Sequence, residues 1–221
     1  MNQLLRVAQA VFFDCDGVLL DSVHVKERQF RAMMKERIPQ VADAAMDYYW
    51  RNGGTSRLDK FRWIWSHLVH EPLTEPEVEA LGQEFESRVF AGVVACPMLP
   101  GAMEFLEKYA GDLPCFVLSG TPSDELNRVV ETRGLEEYFR EVCGSPRTKT
   151  EIGRDILVRY RFDPARVWVV GDATTDLDAA RNLGLHFVGI DGPHLTPFVG
   201  ARERLIKDLT SLEEAILASR Q

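Results

Sequence analysis

The stretch VFFDCDGVLLDS, Val11 to Ser22, decides how this chain is read. It opens with a short apolar run, Val11 to Phe13, of β-branched and aromatic residues, which reads as a buried strand. Two carboxylates follow, Asp14 and Asp16, two positions apart, and then Gly17. Residues i and i+2 of a strand face the same side, so the spacing predicts that both acids reach one ligand. Two carboxylates in different surroundings can divide the labour as ionised nucleophile and proton carrier. Gly17 lets the backbone turn sharply with no Cβ in the way.

Working outward, the same apolar texture recurs at Cys115 to Leu118, Val167 to Val170 and His186 to Ile190, with a weaker strand near Arg140 to Cys143. Helical stripes lie between them: Ile152, Ile156, Leu157 and Tyr160, then Leu177, Ala180 and Leu183 stopped by Gly184, and a helix preceded by Ser123 and Asp124 that runs to about Arg133 and is stopped by Gly134. Continuous apolar strands alternating with helices predict an α/β fold, a doubly wound parallel sheet covered on both faces. One interval breaks the alternation. From Leu20 to about Leu99 only helical patterning is present, with Phe30, Met33 and Met34 on one stripe, Leu58, Phe61, Trp65 and Leu68 on a second, and Val78, Leu81, Phe85 and Val89 on a third. The expected organisation is therefore a core of residues 1–20 and 99–221, with an all-helical cap, 21–98, inserted after the first strand.

Three strand ends carry chemistry. The first delivers Asp14 and Asp16, the second Ser119, Gly120 and Thr121, and the strand at Val167 to Val170 leads into Gly171-Asp172-Ala173-Thr174-Thr175-Asp176. Ligands of open parallel sheets bind in the crevice at the carboxyl ends of the strands, so these distant segments are expected to share one site. Like charges ~4 Å apart at an effective dielectric near 20 repel by about 4 kcal/mol per pair. A cluster of Asp14, Asp16, Asp172 and Asp176 therefore calls for a cation. The ligands would be oxygen alone, which selects a hard ion such as Mg2+.

Composition narrows the partners. The 221 residues are 45% hydrophobic and 27% charged with a net charge of −8, the balance of a water-soluble globular protein. That charge opposes binding to nucleic acid or to an anionic membrane, and no run approaches the ~18 apolar residues of a membrane span. Cys15, Cys96, Cys115 and Cys143 are isolated, without metal-ligand spacing, and the five histidines show none either. The expectations are a cytoplasmic protein with reduced thiols, in a monomeric or homodimeric state.

Four segments together resemble the motifs of the haloacid dehalogenase-like superfamily in its phosphatase and phosphomutase form: VFFDCDGVLLDS, CFVLSGTP (Cys115 to Pro122), GSPRTKTEIGRDIL (Gly144 to Leu157) and VVGDATTDLDAA (Val169 to Ala180). The inserted helices resemble the cap of the branch that contains phosphoglycolate phosphatases and β-phosphoglucomutases. The resemblance implies a small phosphorylated metabolite as partner, and that Asp14 attacks phosphorus and binds the metal. It implies that Asp16 serves the leaving oxygen and then the hydrolytic water, its backbone carbonyl being a metal ligand. Ser119 with the backbone amides of Gly120 and Thr121 would hold phosphate oxygens, Lys149 would orient the nucleophile, Asp172 would bind metal, and Asp176 would stand behind it or hold Lys149. Cys15 departs mildly from the pattern, where many members have a larger apolar residue.

Plainer readings stand beside these. Asp176 could simply cap a helix beginning near Leu177. Gly53 to Arg57 reads either as a flexible connection between helices, slightly favoured, or as a specificity loop with Arg57 on the substrate. Trp50, Trp63 and Trp65 read as packing residues, and the basic residues near Arg202 to Lys207 as a solvated helix face. Competing functions are a sugar phosphomutase, a dehalogenase, a phosphonate hydrolase using a cap lysine such as Lys60, a phosphoacceptor signalling module and a non-enzymatic interaction protein.

Overall fold

The computed structural model describes residues 3–192, 195, 199–200 and 203–218. Among these, six strands form one sheet: β1 (Ala10–Phe13), β2 (Cys115–Pro122), β3 (Glu141–Ser145), β4 (Val167–Gly171), β5 (His186–Ile190) and β6 (Arg204–Ile206). The order is β3-β2-β1-β4-β5-β6 and every pairing is parallel. The chain proceeds from β1 to β2 and β3 on one side, then crosses back to β4 on the other side of β1. That reversal opens a crevice beside the carboxyl end of β1, the place where ligands of doubly wound sheets bind.

Burial explains why these residues are strands. All four residues of β1 and all five of β4 are buried, as a sheet covered on both faces requires. Successive residues feed opposite layers: Phe12 meets Phe116 edge-to-face at 5.4 Å, and Phe13 meets Phe105 at 5.8 Å on the other side. Phe12→Ala would cost about 3–5 kcal/mol through the cavity left behind. The flanking helices are α1 (Gln3–Val7), α6 (Ala102–Tyr109), α7 (Ser123–Thr132), α8 (Lys149–Tyr160), α9 (Thr174–Leu183) and α10 (Leu212–Ala218).

Between β1 and β2 the chain is helical, with α2 (Val23–Arg37), α3 (Ala42–Arg51), α4 (Arg57–Ile64) and α5 (Glu75–Ala95). These four make the inserted helical cap. Its interior is aromatic: Phe30 stacks on Phe61 at 5.7 Å and meets Phe85 at 5.9 Å. The two passages between cap and sheet run side by side. The Asp21 amide donates to the Pro97 carbonyl, the Leu99 amide donates to the Leu19 carbonyl, and Leu20 bridges Met98 in antiparallel sense.

Three expectations are corrected. Arg204 to Ile206 is not a helix face but the edge strand β6, paired with Val188 to Ile190; Arg202 lies outside the described residues. β2 does not end at Leu118 but continues to Pro122 across a register shift against β3, so Ser119 to Thr121 belong to an irregular strand end. α9 begins at Thr174 with Ala173 as its N-cap, so Asp176 lies inside the first turn and is not the cap. Among the described residues no helix is long and apolar enough to cross a membrane.

Candidate active site

β1 ends at Phe13, and Asp14 emerges at the sheet's carboxyl edge with its backbone still tied to β4 through its amide and the Val170 carbonyl, 2.9 Å. One carboxylate oxygen accepts from the Cys15 amide at 2.7 Å, and the other lies 2.9 Å from Lys149 Nζ. Lys149 opens α8, whose start is fixed by a reciprocal Thr148–Glu151 capping box. The same ammonium donates to Asp176 Oδ1 at 2.7 Å. Asp14, Lys149 and Asp176 are all buried. Burial works against the Lys149 charge, but the two carboxylates hold its pKa above that of an ordinary lysine. For Asp14 burial outweighs the lysine and the pKa is raised, while Asp176 is pushed up to about 7, again chiefly by burial.

Asp16 faces the same cavity but keeps different company. Its position past the strand end, and the turn at Gly17 with φ +79°, place it there, rather than strand alternation. Lys26 of α2 donates to its Oδ2 at 2.5 Å, the Thr121 hydroxyl donates to the same oxygen at 3.0 Å, and the Ser22 hydroxyl donates to Oδ1 at 2.5 Å. Burial opposes ionisation, yet the Lys26 charge and these hydrogen bonds hold Asp16 below the usual carboxylate range. The two aspartates, two residues apart, thus carry opposite shifts.

Asp172 completes the acidic set. A Cβ built on Gly17 would lie 2.2 Å from Asp172 Oδ2, so only glycine lets this carboxylate close over the turn. Carboxylate oxygens of Asp14, Asp172 and Asp176 lie within 4.8 Å of one another. Burial, then Asp14 and Asp176, push the Asp172 pKa well up. Four carboxylates here meet two paired ammoniums, Lys149 and Lys26, and the buried Oδ2 of Asp176 has no hydrogen-bond partner. The donor set is oxygen throughout, and its excess negative charge fits a hard divalent cation. Asp16's side chain stands apart from that cluster, engaged with Lys26, Ser22 and Thr121.

Ser119 is buried on β2, with its hydroxyl accepting from the Thr121 amide at 3.1 Å, and Ser119, Gly120 and Thr121 line the cavity with Asp14, Asp16 and Asp172. The cap closes that cavity of about 120 Å³ from above with Tyr49, Trp50, Gly53, Gly54, Lys60 and Phe85. The Gly53–Arg57 segment is packed down on the sheet's loops. A Cβ on Gly120 would lie 2.3 Å from the Gly54 carbonyl oxygen, and one on Gly54 would lie 1.9 Å from Thr175 Oγ1. This favours the loop that reaches over the site against a loose connection. Trp50 is likewise a wall of the cavity, whereas Trp63 stacks on Tyr48 at 3.7 Å and Trp65 packs on Phe61.

Arg57 lines the cavity, but its guanidinium is engaged by Glu125 of α7 and, at 3.5 Å, by Glu86 of α5. Two cap residues that carried no strong sequence signal are brought to the cavity instead. Lys26 reaches Asp16 and Thr121 from α2. Lys60 of α4 is buried with its ammonium 4.3 Å from the centre of the Tyr49 ring. Burial, with repulsion from Lys26, pushes the Lys60 pKa down to about 7. The one available signal was spacing: Lys60 stands one helical turn after Arg57 and one residue before the stripe residue Phe61.

Comparison with known proteins agrees with this geometry. Residues 8–184 match the family model described as "Hydrolase: haloacid dehalogenase-like hydrolase". The phosphoglycolate phosphatase of Vibrio cholerae is 24% identical, over 97% of this chain and all of that protein, and that of Synechococcus elongatus is 26% identical over 82% and 83%. The crystal structure of CbbY from Rhodobacter sphaeroides in complex with phosphate superposes with a TM-score of 0.72 at 18% identity, covering 93% of this chain and 96% of that one.

Proposed function

The chain belongs to the haloacid dehalogenase-like hydrolases, and we propose that it is a magnesium-dependent phosphatase that cleaves a small phosphate monoester through a phosphorylated Asp14. One observation carries this reading: Lys149 bridges Asp14 and Asp176 at 2.9 and 2.7 Å, and Asp14 lines the cavity together with Asp16, Asp172 and Ser119. The phosphoglycolate phosphatases among its relatives support the substrate class, a small phosphorylated acid or alcohol.

Asp14, Asp172 and the backbone of Asp16 would hold Mg2+, with Asp176 behind them. When bound, the ion neutralises the carboxylate cluster and the phosphoryl oxygens. In the first step an Asp14 oxygen attacks phosphorus and the bond from phosphorus to the leaving oxygen breaks. Lys149 holds Asp14 in line and offsets charge on the transferring group. The Ser119 hydroxyl, held by the Thr121 amide, and the Gly120 amide steady the phosphoryl oxygens. Asp16 in its acid form gives a proton to the leaving oxygen. In the second step water attacks the phosphorus, Asp16 takes its proton, and inorganic phosphate departs as Asp14 is restored. Paired with Lys26, Asp16 rests as the base, so its acid form is populated when the substrate dianion enters and raises its proton affinity. The closed cap keeps bulk water from the phosphorylated aspartate.

The test is phosphate release from a panel of phosphorylated sugars, glycolate and nucleotides in the presence of Mg2+, run beside Asp14→Asn. The substitution is expected to abolish release while leaving the far-UV circular dichroism intact. Equal activity in the variant overturns Asp14 as nucleophile, and isomerised substrate without released phosphate replaces the phosphatase by a mutase.

A further inference from the structure

The cavity holds four cationic side chains at or near its wall, and three are spoken for. Lys149 is shared by Asp14 and Asp176, Lys26 is paired with Asp16, and Arg57 with Glu125 and Glu86. Lys60 differs. It is 6% exposed, it lines the cavity, and among the described residues no carboxylate lies within 4.0 Å of its ammonium. Its neighbour is instead the face of Tyr49 at 4.3 Å, which attracts a cation without neutralising it.

A lysine is almost never buried without a counter-charge, because desolvating the ammonium costs several kcal/mol. Position gives this one a use. The sheet side of the cavity, Asp14, Asp16, Ser119 and Asp172, is committed to the phosphoryl group. Tyr49, Trp50, Lys60 and Phe85 belong to the cap side, where the rest of the substrate must sit. Those cap neighbours are aromatic, so Lys60 is the charged group there that a substrate can still pair with. The three other cations already have carboxylate partners within the protein.

We propose that Lys60 is a specificity-determining residue that pairs with a second anionic group, a carboxylate or a second phosphate, on the leaving-group side of the substrate. The inference deepens the phosphatase reading and rests on it for the orientation of the substrate. A substrate carrying such a group fills the position left open beside Lys60, and one ending in a hydroxyl or alkyl group leaves the ammonium buried and unpaired. The discrimination is that of a hydrogen bond to a charged group.

The experiment reads binding, so that it does not depend on turnover. The full chain with Mg2+ is titrated calorimetrically with phosphonoacetate, with 1,2-ethylenebisphosphonate and with n-propylphosphonate, an uncharged-tail match, for wild type, Lys60→Met and Lys60→Arg. Wild type is expected to bind one or both doubly anionic probes ten- to a hundredfold more tightly than n-propylphosphonate, the range of a charged hydrogen bond on the order of 1.5–3 kcal/mol. Which of the two binds more tightly tells a carboxylate from a phosphate. Lys60→Met is expected to lose the preference and Lys60→Arg to keep part of it. Equal affinity of wild type for all three probes, or an undiminished preference in Lys60→Met, overturns the assignment. Preference for the doubly anionic probes with no phosphate release from any ester leaves Lys60 as an anion reader and removes the phosphatase reading instead.

Discussion

Arg57, at the first turn of the cap helix α4, and Glu125, on α7 of the sheet domain, form an ion pair across the cap–core boundary with 9% and 1% of their side chains exposed. Glu86 of α5 joins Arg57 at 3.5 Å and Arg128 of α7 at 2.6 Å, so two cap and two core residues make one chain of charge. The cap is thereby held to the core by a charge network that reaches the cavity wall at Arg57.

Glu125→Ala is expected to destabilise the protein by about 3–5 kcal/mol, the cost of leaving a buried charge without its main partner. Joint replacement by Arg57→Met and Glu125→Leu is expected to recover most of that, since apolar residues of similar volume often substitute for a buried pair without loss. Urea unfolding of the three proteins checks both. A loss below about 1 kcal/mol in Glu125→Ala is the value of a solvated surface pair and would show that the two residues are not buried together in solution.

Gly120→Ala pushes a methyl group into the Gly54 carbonyl, where 2.3 Å is available. The cap loop must lift, and a displacement of about 1 Å at a reacting site can cost on the order of a hundredfold in rate. The expected result is a large fall in kcat/KM with the melting temperature lowered by only a few degrees. A variant with wild-type kcat/KM would place the loop away from the site during turnover.

In metal-free protein Asp176 titrates at about 7, above the ordinary 3.8. Between those values the folded state holds a proton that the unfolded state has lost, so stability falls as pH rises through that window. Mg2+ replaces the proton as the counter-charge. The gain in melting temperature between chelator and saturating Mg2+ is therefore expected to widen from about pH 5 to about pH 8, reaching the equivalent of about 2.7 kcal/mol when the ion is at a hundred times its Kd. Asp172→Asn should remove most of the gain. A gain independent of pH would separate the ion from these carboxylates.

Lys26→Met takes the ammonium from Asp16, and the Asp16 pKa moves up from its depressed value. The acid limb of the pH profile of kcat/KM is expected to shift to higher pH, and Lys26→Arg to restore much of it. An unshifted limb would mean that the limb belongs to a group other than Asp16.

The strand ends were legible because they depend on local pattern. A buried parallel strand must be apolar, and the residues just past it must be polar, so Asp14, Asp16, Ser119 and Asp172 announce themselves. Lys149 was legible by its place in the motif order. Lys26 was not, and Lys60 was named only for a phosphonate hydrolase, since a lysine on an amphipathic helix has the same spacing whether it meets water or a cavity, and only the packing of α2 and α4 over the sheet decides. Arg57 was found for its position, while its pairing with Glu125, sixty-eight residues away, is set by tertiary contact alone. Strand β6 was missed because three residues with a basic start carry too little pattern, and charge is common on edge strands. Asp176 looked like a cap because the apolar stripe begins at Leu177, though the helix starts three residues earlier, at Thr174.

The paired passages at Leu19–Asp21 and Pro97–Leu99 have a consequence for modularity. The chain leaves the sheet and returns to it at points that are already hydrogen-bonded neighbours, so a short turn could join them without moving a strand. The sheet with its carboxylate cluster below and the helical insert above are thus spliced at one seam, and a foreign insert grafted there would inherit Asp14 and Lys149 while bringing its own substitutes for Lys26 and Lys60.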